Sequence, residues 1–275
     1  MKKATKQFIN DCIPPLLRQL YQRLVIGVGY FGDYPSWDEA CRASSGYDSD
    51  LILQQVKEAL LKVKSGEAVY ERDSVLFDRI HYSWPLLAGL LWIASRSGNR
   101  LSLIDLGGSL GSSYFQNRNF LTHLGSLSWN IVEQKRFVEC GKSDFEDEHL
   151  RFYYNIDDCL SEQKPDTLLL LSVIQYIENP YEFVTQVLRD QFKYVIIDRT
   201  PFISDGDDML TVHRVSPSIY RASIPTWLLS EGKFRSFMAE KYELVADFNS
   251  FSHDYFRGSV VELRGFLFIR RDEII

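Results

Sequence analysis

The sequence predicts an α/β protein: five parallel strands and the helices between them, closed by an antiparallel hairpin and preceded by a helical extension. Three observations carry this. From Arg100 onward, short and nearly continuous apolar runs alternate with stretches long enough for crossover helices, the rhythm of a parallel sheet covered on both faces. The last two apolar runs are joined by a short connection, which suits a hairpin. Before Arg100 the apolar residues recur at helical spacing instead.

Taken in order, the spacing predicts helices over 13–24 and 50–65, the second carried by Leu51, Leu53, Val56, Leu60 and Leu61 and capped by Asp48 or Ser49. Between them lies a turn-rich, aromatic stretch from Gly27 to Trp37. A third helix covers 83–96 and stops at Ser97-Gly98-Asn99. Strands follow at Leu101–Leu106, Trp129–Glu133, Leu150–Tyr154, Thr167–Leu171 and Tyr194–Asp198, then the hairpin of Tyr242–Phe248 and Leu263–Arg270. This divides the chain into an N-terminal helical extension or lid, residues 1–98, and a sheet domain, residues 99–275.

Composition narrows the function. The 275 residues are 45% apolar and 25% charged, with a formal charge of −6. A nucleic-acid partner would call for a basic stripe to meet phosphates, and only short basic clusters such as Arg270-Arg271 occur. The most apolar run, Pro85 to Ala94, is about half the length a membrane span needs, and Asn10-Asp11 interrupts any apolar leader. Cys12, Cys41, Cys140 and Cys159 form no CxxC pair and read as reduced thiols of a cytoplasmic protein. No metal-ligand spacing is present, so metal independence is expected.

Open α/β sheets bind ligands beyond the carboxyl ends of their strands. After the first strand comes Asp105-Leu106-Gly107-Gly108-Ser109-Leu110-Gly111-Ser112, whose small residues allow a sharp turn and close backbone approach. It lacks the three glycines of a dinucleotide-binding turn, and Asp105 would repel a pyrophosphate. After the second strand stands Glu133, about 20 residues on, where such folds place an acid on ribose hydroxyls; a solvated strand-end acid is the alternative.

The loop resembles the D/E-x-G-x-G-x-G motif of class I methyltransferases, with Ser109 in place of the middle glycine. That resemblance implies a Rossmann-like sheet and S-adenosylmethionine as cofactor, with Asp105 suited to its ammonium group. Gly107, Gly108, Ser109 and Gly111 would cradle the cofactor and Glu133 would hold its sugar. Asp157, after the third strand, would accept from the adenine amino group or else cap the next helix. The stretch Ser172-Val173-Ile174-Gln175-Tyr176-Ile177-Glu178-Asn179-Pro180 resembles the motif after the fourth strand of many small-molecule methyltransferases, with Gln175 where His is frequent. It implies Ser172 near the cofactor, and Gln175 and Tyr176 near the transferred methyl.

Five segments are similar to a bacterial methyltransferase family often encoded in surface-polysaccharide gene clusters. They are Tyr30 to Ala40, Ser45 to Asp48, Leu171 to Tyr176, Asp198-Arg199-Thr200-Pro201-Phe202, and Ile219 to Trp227. The resemblance implies O-methylation of a saccharide or glycan precursor. The partners expected are a small-molecule or glycan acceptor and, as a candidate, a second copy of the chain.

Methyl transfer to a hydroxyl needs an aligned acceptor and a route for its proton. His213, shortly after the fifth strand, is the leading base candidate, against a packing role. Arg199 would clamp an acidic group of the acceptor or pair with Asp198. Tyr176 completes the catalytic candidates. The aromatic stretch Tyr30–Trp37 reads as a lid or as a staple between helices and sheet. A non-catalytic scaffold that keeps the fold without turnover is the competing class.

Overall fold

In this computed structural model the described residues are 27–46, 49–72, 74–188, 192–204, 206–216, 222–256 and 259–274, with backbone alone at 49, 251–255, 259 and 260. The helix expected over 13–24, Cys12 and the cap at Asp48 lie outside them.

The chain opens with β1 (Gly29–Phe31), α1 (Trp37–Ala43) and α2 (Ser49–Ser65). Ser36 starts α1 by accepting a hydrogen bond from the Glu39 amide at 3.4 Å. The hairpin β2 (Tyr70–Arg72) and β3 (Val75–Phe77) leads to α3 (Trp84–Arg96). Pro85 sits in the first turn of α3, where its missing N–H costs nothing. The helix stops as expected: the Ser97 amide returns to the Ile93 carbonyl at 3.0 Å and the Asn99 amide to Ala94 at 2.9 Å. Leu86, Leu87, Leu90, Ile93 and Ala94 form its buried face.

Next come β4 (Arg100–Leu106), α4 (Ser112–Leu121), β5 (Ser126–Val132), α5 (Lys135–Asp144), β6 (Leu150–Tyr153), α6 (Ile156–Glu162), β7 (Thr167–Leu171), α7 (Pro180–Leu188) and β8 (Tyr194–Ile203). The remainder is β9 (Met209–Arg214), β10 (Ser223–Ser230), α8 (Glu231–Met238), β11 (Tyr242–Phe256) and β12 (Ser259–Arg270). Strands β4 to β8 are parallel in the order β6-β5-β4-β7-β8, and β12 lies antiparallel between β8 and β11. This is the expected Rossmann-like sheet. Its connections leave β4 in opposite directions, so the crevice for a ligand falls at the ends of β4 and β7.

Apolar residues fill both faces. Leu60, Leu90, Tyr114, Trp129 and Phe137 belong to one core, and Cys159, Val184, Leu188, Phe234 and Met238 to the other. None of the helices among the described residues is long and apolar enough to cross a membrane.

Three features depart from the sequence reading. Residues 29–31, placed there in a turn-rich segment of a helical extension, form a strand of the main sheet, with Tyr30 buried. Strand β8 runs past Asp198 to Ile203, and the terminal hairpin absorbs its expected loop, so the backbone of His253 belongs to β11. Finally, β9 and β10 extend the sheet, and β10 returns to pair in parallel with β8 at Leu229↔Phe202 and Ser230↔Ile203. Through that pairing β8, β12, β11, β1, β9 and β10 close into a ring.

Candidate functional site

The turn after β4 is built over a buried acid. Asp105 is completely buried, and its Oδ2 accepts a hydrogen bond from the indole N–H of Trp129 at 3.1 Å. Its Oδ1 has no hydrogen-bond partner among the described residues. Burial pushes this carboxyl up to about 7, opposed by the Trp129 bond and by the positive charge of Arg199, and assisted by Glu133.

A Cβ on Gly108 would lie 2.7 Å from that carboxyl group, so only glycine lets the backbone rest on it. Gly107 has φ +70, and a Cβ there would meet Val173 at 2.9 Å. The Asp105 carboxyl thus lies buried against Gly108, beneath the loop.

Ser109, Ser172 and Arg199 are non-glycine residues held at φ +54, +65 and +55. Ser109 and Ser172 follow β4 and β7, and Arg199 lies within β8 level with the end of β7, on three neighbouring strands. Each such residue costs about 1–3 kcal/mol, and such costs concentrate at functional sites.

At the end of β5, Glu133 is half-buried and its carboxyl is raised by burial, opposed by the Gln134 amide, which donates to Oε2 at 2.8 Å. The cap of α6 is Asn155, whose side chain accepts from the Asp158 amide at 2.8 Å. Asp157 therefore does not supply the cap; it lies exposed in the first turn of α6.

Beyond β7 the chain makes a short turn at Ile174–Tyr176. Gln175 is buried there and donates to Ser172 Oγ at 2.9 Å and to the Arg199 carbonyl at 3.3 Å, tying the ends of β7 and β8 together. Tyr176 is half-buried on the same turn.

Asp198 is the polar hub of the β8 end. It is buried, and its Oδ1 accepts from the Arg199 amide at 2.8 Å and from Ser250 Oγ. Ser83 Oγ donates to its Oδ2 at 3.4 Å. Burial raises its carboxyl, opposed first by the Arg199 charge. Ser83, just before α3, thus turns to Asp198 and leaves the helix amides without a side-chain cap.

The fold therefore gathers Asp105, Gly107, Gly108, Ser109, Gly111, Glu133, Ser172, Gln175 and Tyr176 around the ends of β4, β5 and β7, with Arg199 of β8 level with the end of β7. It sets His213 apart, on β9 in the ring. There His213 pairs directly with Tyr30, and their rings are 4.7 Å apart. Tyr30 clusters with Leu228 and Val261 from other strands of the ring, so His213 shares the inner face.

Sequence reasoning missed Trp129, Ser83 and Ser250. Trp129 carried a usable signal, a polar tip in a buried strand beside the Asp105 strand; the two serines carried none. Among the described residues no group of three His, Cys, Asp or Glu is gathered as a metal would require.

No family model matches the chain, and no curated protein matches it. Among solved structures it is similar to the N-terminal domain of EvdMO1 in the presence of SAH and D-fucose. Identity there is 12% over 82% of this chain and 98% of that one, with a TM-score of 0.48. A second is the Burkholderia thailandensis 1,6-didemethyltoxoflavin-N1-methyltransferase with bound 1,6-didemethyltoxoflavin and S-adenosylhomocysteine (11% identity, 88% and 93% covered, TM-score 0.42). A third is an S-adenosylmethionine-dependent methyltransferase from Clostridium acetobutylicum (9% identity, 69% and 92% covered, TM-score 0.44).

Proposed function

We propose that this chain is an S-adenosylmethionine-dependent methyltransferase that methylates an oxygen of a saccharide or surface-glycan precursor. The observation that carries the reading is the turn at the sheet's switch point. There Gly108 rests on a buried carboxyl whose second oxygen has no hydrogen-bond partner among the described residues, and Glu133 directly follows the adjacent strand.

The residues fit such a group. Space that a Cβ at Gly107 or Gly108 would need is taken by Val173 and Asp105, so glycine at both positions lets the loop backbone lie close over the strand ends. The backbone of Gly107–Gly111 would hold the amino-acid end, with the Asp105 charge beneath it. Glu133 would accept from the ribose hydroxyls, Asp157 from the base, and Ser172 with Gln175 would line the side toward the acceptor. When bound, the sulfonium compound supplies an electrophilic methyl group. Tyr176 and Arg199 would orient the acceptor. His213 would take the hydroxyl proton, with the Tyr30 ring fixing the imidazole plane. The saccharide assignment rests on the family resemblance of the segments around Tyr30, Leu171, Asp198 and Trp227; a cytoplasmic setting is the reading that four cysteines without a CxxC pair support.

Isothermal titration with S-adenosylmethionine and S-adenosylhomocysteine tests the first half. Saturable binding is expected, weakened about ten- to a hundredfold in Glu133→Gln, the loss of hydrogen bonds to a charged group. Absence of heat with both ligands would sink the reading. Transfer of a labelled methyl group to a saccharide panel tests the second half; binding without turnover on any member would favour a scaffold.

A further inference from the structure

Within β8, level with the end of β7, stands a guanidinium with no hydrogen-bond or ion-pair partner among the described residues. Along the β8–β12 ladder Thr200 faces Arg264 and Ile197 faces Phe266. Asp198 and Arg199 therefore stand together opposite the single residue Gly265, a β-bulge with one extra residue on β8. Bulges re-aim side chains and are frequent beside active sites. Arg199 takes the left-handed conformation here, at φ +55.

Its backbone is fixed on both sides. The Arg199 amide donates to Asp198 Oδ1 at 2.8 Å and to Ser250 Oγ at 3.1 Å, and its carbonyl accepts from Gln175 Nε2. The guanidinium is different. Although the residue is half-buried, this group makes no hydrogen bond, ion pair or ring contact with a described residue. A sheltered arginine is ordinarily paired.

Pairing with Asp198, the alternative left open by the sequence, is not what the fold provides. The oxygens of Asp198 are engaged by the Arg199 amide, Ser250 and Ser83. Asp105 and Asp198 act on Arg199 only through their charge, and neither makes an ion pair with its guanidinium.

We propose that Arg199 forms an oxyanion subsite, so that the acceptor presents a carboxylate or phosphate group at the bulge of β8. The inference rests on the methyl-transfer reading for its role, since it names the acceptor's chemical class. A guanidinium fork binds either oxyanion through two parallel hydrogen bonds. The bulge fixes where that fork starts, and the neighbouring turn at Gln175 and Tyr176 supplies the adjoining wall. The acceptor is then an acidic saccharide, either a uronate or a sugar phosphate.

The test is titration of the full chain with glucuronate, glucose 6-phosphate and glucose, at low ionic strength, with and without S-adenosylhomocysteine. At least one of the two anions is expected to bind the wild-type protein, and which one does separates carboxylate from phosphate. Binding should weaken at least tenfold in Arg199→Gln and recover in part in Arg199→Lys, which keeps the charge and loses the fork. Thermal melts establish that both variants fold; should the Gln variant fail to do so, the Lys variant's loss of affinity is the readout.

The proposal is overturned if neither anion binds, or if an anion binds wild type and variants alike. It is equally overturned if Arg199→Gln weakens S-adenosylhomocysteine tenfold and leaves the anions unchanged, because Arg199 would then hold the donor's own carboxylate. Failure of S-adenosylhomocysteine to bind the wild type would remove the methyl-transfer reading by itself, while the titrations without it still report on Arg199.

Discussion

The carboxyl of Asp105 is buried and, among the described residues, gains one hydrogen bond, from Trp129, for its two oxygens. A rise from 3.8 to about 7 means that between those pH values the folded chain holds a proton the unfolded chain has released. The stability this confers is complete below about pH 4, falls as pH rises, and is gone above about 7. It amounts to about 4 kcal/mol.

Asp105→Asn keeps an acceptor for Trp129 and removes the ionisation. Urea denaturation at pH 5 and pH 8 should therefore show the wild type losing more stability than the variant over that interval, by a few kcal/mol. Equal losses would mean the carboxyl is not burdened by burial. Gly108→Ala probes the same contact from the other side. A methyl group 2.7 Å from the carboxyl must displace the loop, at about 1–3 kcal/mol, and titration should show S-adenosylhomocysteine binding lost along with it.

Asp105 and Glu133 were legible in the sequence because a strand reading fixes which residues reach its carboxyl end. Ser83 and Ser250 were not. Each meets Asp198 across the fold, and a serine ahead of an apolar helix reads as an ordinary cap.

At the scale of elements, the central strands were legible to within a few residues because each is an apolar run bounded by polar turns. The ends of β8 and β11 were missed for a common reason. Asp198-Arg199 and Asn249-Ser250 interrupt the apolar pattern, yet pairing with β12 continues beyond both interruptions. In β11 the register shifts between Asn249 and His253, and Ser250, lying within that shift, reaches the Asp198 carboxyl. The irregularities in β8 and β11 therefore belong to one device: each frees a residue from strict alternation, and the two meet at Asp198.

Ser250→Ala removes a donor to a buried carboxylate and one of the two acceptors of the Arg199 amide. It is expected to cost about 1–3 kcal/mol in denaturant titrations and to weaken anion binding at Arg199 by less than Arg199→Gln does. Gly265 closes the device from β12. The Phe248 ring lies across it, 2.1 Å from where a Cβ would stand, so Gly265→Ala must expel the ring. It should destabilise by about as much as other overpacked core substitutions, about 1–3 kcal/mol.

At the scale of the whole molecule, the ring is what local pattern could not reveal. β1 is three residues long and finds its partners β9 and β11 near the other end of the chain. Nothing in Gly29-Tyr30-Phe31 distinguishes such a strand from a turn. β9 and β10 pair along six positions, but the seam is thin: β10 meets β8 at two residues and β1 meets β11 at one.

The parallel centre is different, since β4 is bonded on both sides and buried between two apolar layers. Opening free energy follows buried contacts and paired backbone, so the molecule should open at its ring before its centre. In hydrogen exchange, amides of Gly29–Phe31, Met209–Arg214 and Ser223–Ser230 should exchange through smaller openings than those of Leu103–Asp105 and Leu168–Leu171. A ligand that spans the ends of β4 and β7 should slow the strand ends and leave the ring amides nearly unchanged. One that also engages His213 on the inner face must slow β9 as well. Uniform protection of ring and centre in the free protein would contradict this picture, because it would require the thin seam to be as strong as a full ladder.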